Sequence, residues 1–267
     1  MFTKEIIDAL TGYTANMKNS VTFVLQAGEH DKHQELADFL SNVASVSDKL
    51  TVEIKDDARL RSPISFLLEA DGKDTGIRFS GIPSGHEFNS LILAVLQASG
   101  TTLKLDDSLQ IMISRVATPI HFEVFVSLSC HNCPDVVQGL NQFALLNDKI
   151  SVEMIDGGLF QDIITERDIQ GVPSVYANGE LFANGKVSTA ELFDKLLELN
   201  PEIAQASNNE ADDIDNNLPL QDVVIIGGGP AGVSSAIYSA RKGLSVTLIA
   251  DRIGGQVKDT MGIENLI

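Results

Sequence analysis

Basic residues are scarce in this sequence, which has 19 Lys and Arg against 37 Asp and Glu in 267 residues and a formal net charge of −18. Such a chain repels phosphate on average and releases few counterions from nucleic acid, so we expect no DNA or RNA partner. Its two cysteines are too few for a disulfide-stabilised scaffold. The 43% content of hydrophobic residues still supports a buried core, and the length favours a globular chain with more than one domain.

Long apolar segments are also rare. Lys4, Glu5 and Asp8 interrupt the N-terminal segment where a secretory signal would be apolar, so we expect a cytoplasmic protein. The residues from Val223 to Ala240 carry no charge. They contain a cluster of glycines that fits a soluble strand–turn–helix motif better than a membrane helix. We therefore expect no membrane association.

The sequence contains an internal repeat with a spacing of one hundred residues. Asp48–Asp56 and Asp148–Asp156 are identical at five of nine positions, and both alternate apolar and polar residues as strands do. The pattern around each copy predicts β-α-β-β-β-α, with a parallel start and a hairpin finish, so the fold class is α/β. We expect two repeats at 1–115 and 116–200. A solvated acidic linker, or an ordinary surface loop, follows at 201–221, and a further domain begins at 222 and runs to 267.

A dithiol motif, C-H-N-C, occupies residues 130–133, after a predicted strand and at the start of a predicted helix. This position favours redox chemistry over zinc, because zinc needs four ligands and the chain has no second cysteine pair. We accordingly expect no metal. At a helix N-terminus the pKa of a thiol falls from about 8.5 to between about 3.5 and 7.5, which favours the reactive thiolate. We expect Cys130, nearer the exposed end, to attack, and Cys133 to resolve the mixed disulfide.

A proline belongs to the same predicted site. Pro173 follows Gly171 and Val172 and leads the third strand of the second repeat. In this topology that position lies close to the start of the dithiol helix, and a cis proline there leaves a backbone edge open for a substrate chain. The sequence does not distinguish a cis proline from an ordinary trans proline at a strand start.

The dithiol after a strand, followed by Val-Pro forty residues later, resembles the thioredoxin and glutaredoxin family. The doubling resembles the flavoprotein component of alkyl hydroperoxide reductase, an NADH-dependent peroxiredoxin reductase. This resemblance runs over essentially the whole chain and is carried by residues 127–138 (SLSCHNCPDVVQ), 155–158 (IDGG) and 171–173 (GVP). It implies two fused thioredoxin-like folds, the first without cysteines, followed by the first β-α-β of a Rossmann-type FAD-binding domain.

The resemblance also draws attention to an acidic residue in the first fold. Glu87, within Gly-His-Glu-Phe at 85–88, matches a family residue that lies near the dithiol. A buried Glu87 would either disfavour the thiolate or relay a proton to the leaving sulfur. Alternatively, it is a first-turn carboxylate that the helix dipole stabilises.

His30 and His33, one hundred residues before the cysteines, are either a metal pair or two solvated loop histidines.

The residues 227–232 (GGGPAG) satisfy G-x-G-x-x-G between a predicted strand and a predicted helix, and a second strand ends at Asp251, 19 residues after Gly232. Gly227 permits the tight turn, Gly229 lets the backbone approach a pyrophosphate, and Gly232 lets the helix pack closely on the strand. Asp251 can accept a hydrogen bond from a ribose hydroxyl. The motif alone fits both NAD and FAD.

The family resemblance selects FAD, because residues 254–256 (GGQ) and 263–265 (IEN) resemble the FAD-binding half of thioredoxin reductase-type flavoproteins. Only a short β-α-β segment follows Asp222, so we expect a fragment or a truncated gene product that does not hold FAD tightly. The predicted cofactor-binding residues are Gly227, Gly229, Pro230, Ala231, Gly232, Asp251, Gly254, Gly255 and Gln256.

The resemblance implies a disulfide oxidoreductase arm of an NADH- and FAD-dependent alkyl hydroperoxide reductase that serves peroxide detoxification. Electrons would pass from NADH through the flavin and a further family dithiol to Cys130 and Cys133, and then to a peroxiredoxin disulfide. It also implies a homodimer, and we expect this chain alone not to support NADH-driven turnover. Two alternatives are a free-standing glutaredoxin-like reductase supplied by small thiols and a docking module that binds the peroxiredoxin without turnover.

Overall fold

A computed structural model of the protein describes residues 2–201, 203, 219–250, 253 and 254. The chain divides into two compact units, residues 1–208 and 209–267. The repeat boundary at 115/116 and the linker at 201–221 stay predictions, and most of that linker lies outside the described residues. Among the helices that are described, none combines the length and the apolar character needed to cross a bilayer.

Both repeats of the first unit have the predicted strand and helix order. The first contains α1 (Lys4–Thr14), β1 (Val21–Gln26), α2 (His33–Ala44), β2 (Leu50–Lys55), β3 (Ser65–Ala70), β4 (Lys73–Ser80) and α3 (Glu87–Ala98). The second contains α4 (Asp107–Ser114), β5 (Ile120–Val126), α5 (Cys133–Leu146), β6 (Ile150–Asp156), α6 (Gln161–Glu166), β7 (Ser174–Ala177), β8 (Glu180–Asn184) and α7 (Thr189–Leu199). The predicted β-α-β-β-β-α pattern is confirmed twice. Helices α1 and α4 and the six-residue α6 were not predicted from the sequence.

The two repeats share one sheet. Its eight strands run in the order β2-β1-β3-β4-β6-β5-β7-β8. The repeats meet where β4 pairs in parallel with β6, with Ile77 opposite Val152 and Phe79 opposite Met154. Buried hydrophobic residues from both repeats form one continuous core. Because the sheet is continuous, α3 of the first repeat packs directly against α5 of the second, whose first residue is Cys133 of the dithiol.

The second unit contains β9 (Val223–Ile226), α8 (Pro230–Arg241) and β10 (Val246–Ile249). β9 and β10 pair in parallel with Val223 opposite Val246, and α8 connects them as a crossover helix. The uncharged segment from Val223 to Ala240 is therefore a strand, a turn and a helix, as predicted.

Candidate active site

The dithiol lies between the end of β5 and the start of α5. Cys130 and Cys133 are joined by a disulfide bond. The side chain of Cys133 is completely buried at the first position of α5, whereas Cys130 is partly exposed in the loop that precedes the helix. Only one of the two sulfur atoms is therefore open to a large partner.

The helix start favours negative charge on the outer sulfur. The backbone N–H of Cys133 points at the sulfur of Cys130, with 3.2 Å between N and Sγ. Asn132, the N-cap residue of this 14-residue helix, places no side-chain cap on the first turn. The N–H of Cys133 and the positive end of the helix dipole therefore face Cys130, and both would stabilise its thiolate once the disulfide is reduced.

The predicted proline lies beside the dithiol. The peptide bond between Val172 and Pro173 is cis, and the carbonyl oxygen of Val172 is 3.8 Å from the sulfur of Cys130. A shallow cavity of about 340 Å³ adjoins this segment, and its walls include Val126, Gly157, Gly158 and Gly171. Two of the segments that carried the family resemblance, around Gly157 and Gly171, thus lie next to each other at this cavity.

The first repeat supplies one side of the site. His86 donates its backbone N–H to the carbonyl of Leu128 at 3.0 Å, and its ring lies 4.2 Å from the ring of His131, between centroids. Gly85 makes this approach possible, because its φ is +56° and a Cβ there would lie 2.4 Å from the Leu128 carbonyl oxygen. His86 was not predicted as a site residue, because no local pattern marks a contact between residues so far apart in the chain.

Glu87 is buried at the first position of α3. Its side chain is 0% exposed, and neither carboxylate oxygen has a hydrogen-bond partner of normal geometry among the described residues. Burial raises the pKa of Glu87 to about 7, and the hydroxyl of Ser90, one turn along α3, opposes that rise. Glu87 was predicted either as a buried acidic residue near the dithiol or as a first-turn carboxylate of its helix. It is a first-turn residue, and it is buried where α3 packs against α5.

Replacing Glu87 by glutamine is expected to stabilise the protein in a pH-dependent way. A pKa raised from 4.5 to about 7 means that the folded chain binds the proton more tightly than the unfolded chain, so stability is lost as the pH rises from 4.5 through 7. Glutamine carries no charge. Glu87→Gln should therefore have little effect at pH 5 and add up to about 3 kcal/mol at pH 8. Urea unfolding at the two pH values measures this, and an equal change at both would contradict it.

A cluster of charged groups spans the sheet away from the dithiol. Arg61 donates to Glu153 at 2.8 and 2.7 Å and to Glu123 at 2.6 Å, and Arg167 donates to Glu123 at 2.7 Å. Burial alone would raise the pKa of Glu153, but hydrogen bonds from His121, Arg61 and Ser80 together with the charge of Arg61 lower it to about 2. This cluster was not predicted from the sequence.

His121, Glu123 and Glu153 lie close enough together to ligate a metal ion. The carboxylate oxygens, however, already accept hydrogen bonds from the two arginines and Ser80. An ion pair with Arg61 and Arg167 therefore accounts for these carboxylates better than a metal does. The absence of a resident metal stays a prediction.

His30 and His33, the histidines considered above as a metal pair, make local contacts. His30 accepts the backbone N–H of Lys32 at its Nδ1 atom, 3.0 Å away. His33 is half-buried at the first position of α2, and its Nε2 atom lies 3.2 Å from the carbonyl oxygen of Gln26. His33 is thus a helix residue rather than a solvated loop residue.

The glycine-rich turn of the second unit connects β9 to α8. A Cβ on Gly232 would lie 1.9 Å from the carbonyl oxygen of Gly227, so only glycine lets α8 start this close to β9. Gly229, the N-cap of α8, has no atom within 4 Å of its would-be Cβ, and Pro230 and Ala231 follow in the first turn. Gly254 donates its N–H to Gly228 at 2.7 Å. Asp251, Gly255 and Gln256 lie outside the described residues.

Comparisons with known proteins agree with both units. A thioredoxin domain model matches residues 120–198, and a model for FAD dependent oxidoreductases matches residues 222–263. The protein disulfide oxidoreductase of Aeropyrum pernix K1 has the same fold, with a TM-score of 0.60 at 19% identity over 72% of this chain and 90% of that one. The doubled fold, with its dithiol in the part that matches the thioredoxin domain model, thus places the chain in the class of proteins built from two thioredoxin-like folds.

More similar proteins narrow this class to one family. The NTD_N/C domain of alkylhydroperoxide reductase AhpF from Enterococcus faecalis (V583) is 34% identical, with a TM-score of 0.68 over 73% of this chain and 99% of that one. The F subunit of alkyl hydroperoxide reductase from Staphylococcus aureus (strain NCTC 8325 / PS 47) is 44% identical over 94% of this chain and 46% of its own length. This chain belongs to the AhpF family of alkyl hydroperoxide reductases, which confirms the predicted family and fold class.

The chain spans about half the length of the curated relatives it matches. A protein named NADH dehydrogenase from Bacillus subtilis (strain 168) gives the same proportion, with 41% identity over 97% of this chain and 48% of that protein. The activity, substrates and partners of the full-length relatives are therefore ascribed to this chain only as a proposal.

Proposed function

We propose that this chain is the disulfide-reducing arm of an NADH- and FAD-dependent alkyl hydroperoxide reductase, and that its partner is a peroxiredoxin. The observation that carries the proposal is the disulfide at the N-terminus of α5, with one accessible and one buried sulfur, in a chain of this family. The catalytic residues are Cys130 and Cys133, Glu87 serves their proton transfer, and Pro173 lines the place where the partner chain docks.

The reaction is two thiol–disulfide exchanges. In the reduced chain, the Cys130 thiolate attacks one sulfur of the partner disulfide, the partner S–S bond breaks, and the first partner thiolate leaves and takes up a proton. Cys133 then loses its proton and attacks the Cys130 sulfur of the mixed disulfide. The second partner thiolate leaves and is protonated in turn. Two electrons and two protons have then passed from the chain to the partner, and the Cys130–Cys133 disulfide is restored.

Glu87 has the properties of the proton acceptor in the second step. Cys133 is buried, so bulk water does not reach its thiol directly. A carboxylate with a pKa of about 7 is present in both charge states at neutral pH, and it can therefore take the proton from Cys133 and give it up again. Glu87 reaches this region from the first repeat, because α3 packs against α5.

The second unit supplies the start of a FAD site. The open space at Gly229, the positive φ of 111° at Gly227 and the close packing at Gly232 fit a backbone turn that holds a pyrophosphate at the N-terminus of α8. Gly227, Gly229, Pro230, Ala231 and Gly232 would hold it, with Asp251, Gly254, Gly255 and Gln256 as further predicted contacts. When bound, FAD supplies the acceptor for electrons from NADH. We also propose a cytoplasmic location, since dithiols are kept reduced in the cytoplasm. A homodimer is proposed on the family resemblance alone.

Mixing the reduced chain with an oxidised peroxiredoxin tests the proposal. The expected result is one partner disulfide reduced per chain, because the chain holds one dithiol and no other cysteine. Alkylation of free thiols followed by mass spectrometry counts the thiols on both proteins. A peroxiredoxin whose disulfide-forming cysteine is replaced by serine serves as the control and should leave the chain reduced.

The two alternatives give different results in the same experiment. A glutaredoxin-like reductase would regain its thiols from glutathione, whereas we expect glutathione at cellular concentration to leave the disulfide largely oxidised. A docking module would bind the peroxiredoxin while the thiol count of both proteins stayed constant. Either result would contradict the proposed electron transfer.

A further inference from the structure

The segment that precedes Pro173 forms one wall of the dithiol site. It comprises residues 168–172, between the end of α6 and the start of β7, and we call it the wall loop. At its far end the carbonyl oxygen of Val172 lies 3.8 Å from the sulfur of Cys130. The position of the wall loop therefore decides how closely a partner chain can approach the reactive sulfur.

Backbone hydrogen bonds hold the wall loop only near its two ends. The N–H of Ile169 donates to the carbonyl of Ile164 at 3.0 Å, and just beyond the loop the N–H of Gly185 donates to the carbonyl of Pro173 at 2.8 Å. Within the part of the chain that the structure describes, residues 170–172 make no backbone-to-backbone hydrogen bond. A segment with so few backbone bonds depends on neighbouring side chains for its position.

Arg167 is the residue immediately before the wall loop, and its head group has three partners. Its Nη1 atom donates to the carboxylate of Glu123 at 2.7 Å. Its Cζ atom lies 5.3 Å from the ring centroid of Phe125 and 4.7 Å from that of Tyr176. These partners share one face of the sheet, because Glu123 and Phe125 are two residues apart on β5 and Tyr176 is opposite Glu123 on β7.

The contacts of Arg167 are of kinds that hold a side chain in one place. A guanidinium over two aromatic rings gains cation–π attraction from both, and its hydrogen bond to a carboxylate is charge-assisted. The hydroxyl of Tyr176 also donates to the backbone carbonyl of Arg167 at 3.5 Å. Because its side chain and its backbone are both held, Arg167 gives the wall loop a fixed starting point.

Glu123 keeps its charge because two arginines share it. Burial alone would raise the pKa of Glu123, but hydrogen bonds from Arg167 and Arg61, together with their positive charges, lower that pKa below its ordinary value. Arg61 donates to the second carboxylate oxygen at 2.6 Å. Since Arg61 belongs to the first repeat, the repeat without cysteines helps to hold the anchor of the wall loop.

The wall loop also bounds the cavity of about 340 Å³ beside the dithiol. Ile169, Gly171 and Val172 line this cavity from the loop, and Ile164 lines it from α6. A Cβ on Gly171 would meet no atom within 4 Å, so a partner backbone has room to approach there. A displaced wall loop would change this cavity without changing the start of α5, on which the activation of Cys130 depends.

We propose that Arg167 is a positioning residue for the partner chain: anchored on Glu123, Phe125 and Tyr176, it holds the wall loop where the partner docks beside Cys130. The inference rests on the proposed function and extends it to a residue outside the dithiol. Arg167 takes no part in the thiol–disulfide exchange itself. Its loss should therefore weaken the docking of a protein disulfide and spare the reaction of a small one.

Single-turnover kinetics test this distinction. The reduced full chain is mixed with increasing concentrations of oxidised peroxiredoxin, and samples are quenched and alkylated to count thiols. Arg167→Gln is expected to raise the half-saturating concentration about five- to tenfold, the effect of one or two lost hydrogen bonds, and to leave the maximal rate within about twofold. With 5,5′-dithiobis(2-nitrobenzoate), which forms the chain disulfide and releases two thionitrobenzoate ions, its rate should equal that of the unmodified chain.

Arg78→Gln is the matched control. Its guanidinium also pairs with one carboxylate, that of Asp74 at 2.6 Å, and its side chain is 23% exposed against 25% for Arg167. It removes the same charge from the same chain, but Arg78 lies on β4 and pairs with neither Glu123 nor the wall loop. Both reactions of Arg78→Gln should match those of the unmodified chain.

NMR relaxation of the ¹⁵N-labelled chain gives a readout that needs no partner. The order parameters of the amides at 170–172 should fall in Arg167→Gln and stay unchanged in Arg78→Gln. Arg167→Lys keeps a positive charge beside Glu123 but loses the planar group that stacks on two rings, so it should give intermediate values in both measurements. If Arg167→Gln does not fold, Arg167→Lys is measured in its place.

Unchanged order parameters would overturn the proposal. So would a half-saturating concentration that stays the same in Arg167→Gln or rises equally in Arg78→Gln. Failure of the unmodified chain to reduce the peroxiredoxin would instead contradict the proposed function, and the order parameters would still decide whether Arg167 holds the wall loop.

Discussion

Replacing Cys130 by serine is expected to abolish disulfide transfer to the partner, with a loss of at least about a thousandfold. A serine hydroxyl is not ionised near neutral pH and cannot form a disulfide, so neither the helix N-terminus nor the N–H of Cys133 can activate it.

Replacing Cys133 by serine should have a different result. The Cys130 sulfur still attacks, but nothing resolves the product, and the chain should accumulate as a covalent adduct with the partner.

Non-reducing electrophoresis of the Cys133→Ser chain mixed with oxidised partner detects this adduct. The assignment is unambiguous, because the chain contains no cysteine other than Cys130 and Cys133. Ser129→Ala, one residue before the motif and exposed, is the matched control and should retain full transfer. If Cys133→Ser forms no adduct while Cys130→Ser does, the two roles are reversed.

Much of this site could be predicted from the sequence because its signals are local. The period-two pattern of residues 148–156 and the hundred-residue repeat predicted the strands on both sides of the dithiol helix, and β6 spans Ile150–Asp156. The dithiol motif was predicted at the start of a helix, and the helix begins at Cys133, with Cys130 in the loop just before it. Apart from the repeat, these features depend on residues within about a dozen positions of one another, where helix and strand periodicities act.

The remainder of the site depends on contacts that the sequence does not mark. The parallel pairing of β4 with β6 joins the repeats into one sheet, and only this pairing brings α3 alongside α5. The tilted ring contact between His86 and His131 and the hydrogen bond from Gln138 to Ser90 follow from it. Each of these residues is an ordinary polar residue in its local segment, so their roles become visible only when the two helices lie side by side.

The charged cluster around Arg61 shows the same dependence on tertiary structure. Arg61 is in the loop before β3, and Glu123 and Glu153 are paired across β5 and β6, 62 and 92 residues further along the chain. The two glutamate side chains are 7% and 6% exposed, and that of Arg61 is 22% exposed. One arginine of the first repeat thus pairs with two buried carboxylates of the second, and Arg167 pairs with one of them, Glu123, as well.

Replacing Arg61 by leucine is therefore expected to destabilise the first unit by about 3–5 kcal/mol at pH 7, since it leaves buried carboxylate charge without its main partner. The size of this loss of stability should depend on pH. In the unmodified chain the lowered pKa of Glu153, about 2, contributes stability that is complete above 4.5 and is lost as the pH falls towards 2. Without Arg61 that pKa rises, because burial then dominates, and protonation relieves the unpaired charge. The difference between the two proteins should accordingly shrink between pH 7 and pH 4.

Urea unfolding followed by circular dichroism at pH 7 and pH 4 measures both effects. Lys55→Met is the matched control: it removes another cation that bridges two glutamates, at 3.0 and 3.5 Å, but does so at the surface, and it should lose no more than about 1 kcal/mol at either pH. An equal loss in Arg61→Leu at the two pH values would mean that Arg61 acts through packing of its aliphatic stem rather than through its charge. A pH-dependent loss would instead establish that the two repeats are held together electrostatically as well as by their shared sheet, so that α3 and Glu87 stay in place against the dithiol helix.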